Sequence, residues 1–229
     1  MTILVVTGTG TEIGKTVVTA AVAAAATAQG RSVAVLKPAQ TGLAPGERGD
    51  AQEVERLAGA VTAVELARFP EPLAPATAAR RAGMVPVRPG DVAEAAEKLA
   101  AEHDLVLVEG AGGLLVRFDE EGGTLADAAR LLSVPVLVVA QAGLGTLNAT
   151  ALTVEALTVR GLECAGAVIG SWPTAPDLAA RCNLEDFPGA TGASLVGAAP
   201  EGAGSLAPMD FRARAASWLA PGLGGIWVR

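Results

Sequence analysis

The chain has 229 residues, 51% of them apolar, and a formal net charge of −7 with no run of Lys or Arg, which excludes a reader of the nucleic-acid backbone; 3% aromatics leave few rings for base stacking. The apolar fraction is enough to fill a sheet covered by helices on both faces, so one α/β domain spanning 1–229 is expected. No apolar stretch reaches the roughly 20 residues of a membrane span and no basic segment precedes an apolar run at the N-terminus, so no membrane association and a cytoplasmic location are expected.

Ile3 to Thr7 is continuously apolar, as a strand buried on both faces should be. It runs into Gly8-Thr9-Gly10-Thr11-Glu12-Ile13-Gly14-Lys15-Thr16 and then a helical stretch from Lys15 to Gln29, with Gly30 at the C-cap position. A Gly-rich loop between a buried strand and a helix start is a phosphate cradle. Its backbone N–H groups wrap the phosphates, Lys15 reaches the outer ones, the Thr16 hydroxyl ligates magnesium, and the helix dipole adds to the field. The strict pattern would place Gly at position 9; this chain has Thr9, with Gly8 one position earlier.

A second strand, Ser32 to Lys37, leads into Lys37-Pro38-Ala39-Gln40-Thr41-Gly42. Ligands gather at the carboxyl ends of strands in open parallel sheets, so Lys37 and Thr41 should face the crevice that holds the loop. A helix follows from Ala51 to Leu57, with Asp50 ahead of it either as an N-cap or as a carboxylate for the metal. Phe69 to Pro89 carries five prolines and reads as irregular connection with room for one short helix.

Val92 to Glu102 has helical character and ends at His103, the only histidine, which reads as a surface residue. Without a second His or a G-x-S-x-G elbow, a Ser-His-Asp hydrolase is disfavoured. The strand Leu105 to Glu109 ends in Glu109-Gly110-Ala111-Gly112-Gly113, where an acid can ligate magnesium directly or through water. Then come a helix from Leu125 to Leu132, a strand from Pro135 to Ala140, a helix from Asn148 to Arg160 closed by Gly161, and strands from Ala165 to Gly170 and Ser194 to Ala198. Cys164 and Cys182, isolated from each other and from His, read as inert thiols. The alternation predicts a single-domain, P-loop NTPase-like three-layer α/β sandwich with a mostly parallel central sheet.

The variant loop containing Thr11-Glu12, the Lys37-Pro38 to Gly42 segment and Glu109 to Gly113, in this order and spacing, resemble the dethiobiotin synthetases; Gly143 to Asn148 and the loop at Pro200 are similar too. The resemblance implies an ATP- and Mg2+-dependent cyclo-ligase. It would join CO2, drawn from bicarbonate, to 7,8-diaminononanoate through a carbamate and its phosphoryl anhydride, closing the ureido ring of dethiobiotin. It further implies a homodimer.

By the same resemblance Lys15 and Lys37 are catalytic, and Thr16, Asp50 and Glu109 hold the metal. The nucleotide is met by Glu12, Ile13, Gly14, Lys15, Thr16 and Val17 in the loop, by Asp50, Glu109, Gly110, Ala111 and Gly112, and by Gly170, Ser171, Pro200, Glu201 and Gly202 at the base. The diamine is met by Thr11 and Thr41, and its tail carboxylate by the helix start at Gly145, Leu147 and Asn148 near the subunit interface. One departure stands out: many relatives carry Asn after the fifth strand to read adenine, where this chain has Gly170-Ser171-Trp172, so other nucleoside triphosphates such as CTP are expected to serve.

Two other readings compete. A P-loop switch or partitioning ATPase would carry a second Lys early in the loop, where Gly10 stands here. An amide-forming synthetase would need an ammonia source, usually a glutaminase domain with a nucleophilic Cys, for which the chain has no room.

Overall fold

The computed structural model describes residues 2–44 and 46–228. In chain order the elements are β1 (Thr2–Gly8), α1 (Lys15–Ala28), β2 (Val33–Thr41), α2 (Asp50–Ala58), β3 (Val61–Phe69), α3 (Pro75–Ala82), α4 (Pro89–Ala100) and β4 (Leu105–Gly113). They continue with α5 (Leu125–Leu132), β5 (Val136–Ala140), α6 (Thr146–Val159), β6 (Cys164–Trp172), α7 (Leu178–Thr191), β7 (Leu195–Pro200) and α8 (Pro208–Ala215).

The strands form one sheet in the order β3-β2-β4-β1-β5-β6-β7, and every neighbouring pair among the described residues is parallel. The expected mostly parallel sheet is thus wholly parallel. Period-2 alternation splits its side chains between two cores. Val5, Val106, Val108, Val136 and Val138 pack beneath α3, α4, α5 and α7, while Leu4, Val6, Leu105, Leu107 and Leu137 pack beneath α1, α2 and α8. Both faces are covered, which is why the strands read as unbroken apolar runs.

Strand β3 and helices α7 and α8 were not anticipated. β3 is a half-buried edge strand carrying Glu65 and Arg68, so it lacks the apolar run of its neighbours. Pro188 and Gly189 mask α7, which the Asp177 carboxylate opens by accepting the Ala180 N–H at 2.7 Å. The proline-rich connection does hold one short helix, α3, with Pro75 at its start. At the opposite edge, the segment after Trp218 lies along β7: Ala220 N donates to Val196 O at 2.9 Å, and Leu219 bridges Gly197 in antiparallel fashion. No helix among the described residues is long and apolar enough to cross a membrane.

Candidate active site

β1 is central in the sheet, and its carboxyl end delivers the loop of residues 9–14 to the start of α1. Gly14 caps α1 in the left-handed region, at φ 90°, without any side-chain capping bond. The first-turn N–H groups are therefore open to an anion. Glu12, at φ 58°, is also left-handed, a conformation a non-glycine residue adopts at a cost.

A close backbone approach fixes the loop from behind. A Cβ at Gly14 would lie 2.2 Å from Gly170 O, and one at Gly170 would lie 1.9 Å from Ile13 O. Gly170 is thus bare because β6 presses its backbone against the phosphate loop. No side chain, Asn included, fits there without moving that loop.

Lys37, on β2, is 2% exposed, and its Nζ lies 2.5 Å from Asp50 Oδ2 and 3.0 Å from Glu109 Oε1, donating also to Gly110 O at 3.1 Å. Burial works against its charge, but Glu109 and Asp50 outweigh burial and hold Lys37 above the usual lysine range. Lys15 is the opposite case. Burial, reinforced by the charge of Lys37, pushes it below that range, while its Nζ donates to Gly10 O at 2.7 Å.

Glu109 is 1% exposed, and Thr16 Oγ1 donates to its Oε1 at 2.9 Å. Its Oε2 is buried without a hydrogen-bond partner among the described residues. An orphaned carboxylate oxygen beside a threonine hydroxyl and the Asp50 carboxylate is a donor set suited to a hard divalent cation. Asp50 is the first residue of α2 and Gly49 is the N-cap, so the capping alternative for Asp50 does not hold; its carboxylate turns to Lys37.

Two cavities meet here. One, of about 380 Å³, is lined by Thr11 through Val17 together with Lys37, Gln40, Thr41 and Asp50. The other, of about 570 Å³, is walled by Pro72, Leu73, Ala74, Pro75 and Val116. Thr11, Glu12, Thr41, Ala111 and Gly112 line both.

The residues proposed for phosphate, metal and diamine amines therefore converge. At the base end, Glu201 N donates to Trp172 O at 2.7 Å, which brings the exposed Pro200, Glu201 and Gly202 beside Ser171, and the following turn reaches Val17 at Gly204. Gly145, Leu147 and Asn148 are not brought to either cavity within one chain; they begin α6, whose N-cap likewise lacks a side-chain bond. His103 lies apart, bonded to Thr62 and Leu99 O, and Cys164 and Cys182 are free. Gln40 and the wall of Pro72 to Pro75 carry no catalytic signature in the sequence beyond their place at or after a strand end.

A family model described as an AAA domain matches residues 2–207. The ATP-dependent dethiobiotin synthetase BioD of Streptomyces avermitilis is 72% identical over 227 residues, covering 99% of this chain and 95% of that protein. The dethiobiotin synthetase of Saccharopolyspora erythraea is 70% identical over the full length of both. Among solved structures, a ParA family ATPase from Chlorobium tepidum aligns at TM-score 0.57 over 92% of this chain and 90% of its own, and the MinC:MinD complex of Aquifex aeolicus at 0.57 over 94% and 86%. Their identities of 12% and 14% show the shared fold alone, while the relatives matched along nearly the whole chain decide the family. With that loop, that fold and those relatives, this chain belongs to the ATP-dependent dethiobiotin synthetases, ligases of biotin biosynthesis.

Proposed function

We propose that the chain closes the ureido ring of dethiobiotin from 7,8-diaminononanoate, CO2 and ATP. The observation that carries this reading is the pair of cavities sharing Thr11, Glu12 and Thr41: one is lined by the charged side chains of Lys15, Lys37 and Asp50, the other is walled by Pro72, Leu73, Pro75 and Val116. A diamine on an aliphatic chain has that same division. Its chain suits Pro72, Leu73 and Val116, while its amines reach Glu12 and the hydroxyls of Thr11 and Thr41.

One amine attacks CO2 and loses a proton, giving a carbamate. A carbamate oxygen takes the outer phosphoryl group of ATP and ADP leaves; the second amine then attacks the carbonyl carbon, releasing phosphate and closing the ring. Charge accumulates where the carbamate meets the triphosphate, so catalysis is positioning and neutralisation. Lys37 stays charged there, held by Asp50 and Glu109. Lys15 needs only to leave Gly10 O to reach the outer phosphates. Mg2+ on Thr16, Asp50 and Glu109 would screen the phosphate charge, and the partnerless Glu109 Oε2 supports that assignment.

The substrate tail is assigned to the α6 start of a second subunit. α6 supports the dimer: Leu144 ahead of it and Leu152 and Val159 along it are large apolar side chains left exposed. The test is incubation with 7,8-diaminononanoate, bicarbonate, Mg2+ and ATP, with mass spectrometry for dethiobiotin. Phosphate should appear only when both small substrates are present; no product from nucleotide-bound protein overturns the reading.

A further inference from the structure

Gln40 has no task in the reaction as described, yet it is 5% exposed and lines the phosphate-side cavity. A buried amide needs partners for its polar atoms. Its Oε1 accepts the backbone N–H of Asp50 at 2.8 Å, and its Nε2 donates to Thr41 O at 3.3 Å.

Asp50 opens α2, where the first N–H groups have no acceptor inside the helix. Helices usually solve this with Ser, Thr, Asp or Asn at the N-cap. Here the N-cap is Gly49, and a Cβ at that position would lie 2.0 Å from Glu65 Oε1, 2.8 Å from Arg68 Nη2 and 3.1 Å from Gln40 Oε1. A side chain there would have to displace the ends of Glu65, Arg68 and Gln40. The acceptor for the Asp50 N–H comes from β2. Arg68, paired with Glu65, donates to Glu47 O at 2.6 Å and pins the same loop from β3.

We propose that Gln40 is a positioning residue for the Asp50 carboxylate. By tying the Asp50 N–H to β2, the strand that also carries Lys37, it sets where that carboxylate meets Lys37 Nζ and the magnesium that accompanies the nucleotide. One rigid element thereby places both partners. The inference rests on the assignment of Asp50 to the metal in the proposed function.

Gln40→Met keeps length and volume but removes the acceptor, whereas Gln40→Glu keeps an acceptor oxygen; Asp50→Asn serves as reference. Each variant is titrated calorimetrically with a non-hydrolysable ATP analogue, with and without Mg2+, and its synthetase kinetics are followed. Gln40→Met should weaken the Mg2+-dependent gain in analogue binding about threefold to tenfold, as expected for one buried hydrogen bond, and leave metal-free binding within about twofold. It should lower kcat without raising the diamine KM, Gln40→Glu should restore the Mg2+ gain, and Gln40→Met should add nothing in the Asp50→Asn background. If Asp50→Asn abolishes the gain while Gln40→Met leaves it intact, the positioning role is overturned and the functional reading stands. Equal losses with and without Mg2+, alongside a lowered melting temperature, mark a purely structural residue and overturn it too. A gain unchanged by Asp50→Asn brings down the metal assignment and the inference together.

Discussion

At the scale of single residues, chemistry concentrates on Lys37. Its buried ammonium sits between two carboxylates, so removing it leaves Glu109, 1% exposed, without its cation. Breaking a buried pair on one side costs about 3–5 kcal/mol, and losing a charge aimed at a developing anion lowers kcat about 10²- to 10³-fold. Lys37→Met is expected to show both, read by chemical denaturation and by dethiobiotin formation; a variant with full turnover would remove Lys37 from the mechanism. The pH dependence follows from the direction of its shift. Lys37 is held above the usual lysine range, so its contribution to stability is complete below that range and is lost as pH rises through its own raised value. Wild-type stability from this pair should therefore hold from neutral pH up to the usual lysine range and fall only beyond it, a loss that Lys37→Met should not show. Lys37 and Glu109 could be found in the sequence because charged residues toward the ends of apolar strands are conspicuous, and Lys15 because it closes a Gly-rich loop before a helix. Gln40 could not: it is uncharged, and its bond to the Asp50 N–H joins two segments that the sequence does not place together.

At the scale of elements, the end of β6 and the phosphate loop act as one unit, since Gly14 and Gly170 let their backbones touch. Gly170, a missing base reader by sequence, has a steric reason to be glycine: a Cβ there would run into Ile13 O. With no side chain at Gly170 to read adenine, ATP and CTP are expected to give kcat/KM values of the same order, and an ATP preference above about a hundredfold would refute this. Gly170→Ala should raise KM for both nucleotides together, because it displaces Ile13 rather than altering a contact with the base. The buried strands were legible from their apolar runs. β3 was not, because a half-buried edge strand mixes Val64 and Leu66 with Glu65 and Arg68 and mimics a loop or a helix. α7 was hidden by Pro188, a residue that normally ends helices.

At the scale of the whole molecule, the parallel sheet and the placement of the candidate site at the carboxyl ends of its strands followed from the alternation of strand and helix, while the strand order did not. What alternation does not encode is which outer surface meets another chain. α6 exposes Leu152 and Val159 on its solvent side, and its start carries the residues that neither cavity recruits. Leu152→Glu is expected to convert a dimer into monomers, by light scattering, and to raise the diamine KM while leaving metal-bound nucleotide affinity within about twofold. A wild-type protein that is monomeric at assay concentration would remove the tail assignment.

The segment laid along β7 has a consequence for the birth of the protein. Everything after Trp218 is synthesised later than all seven strands, yet it is this segment that covers the outer edge of β7 through Ala220 and Leu219. A nascent chain therefore carries a completed phosphate loop and an open sheet edge at the same time. Until the segment after Trp218 clears the ribosome, the edge of β7 remains open to pairing with the next chain's strands.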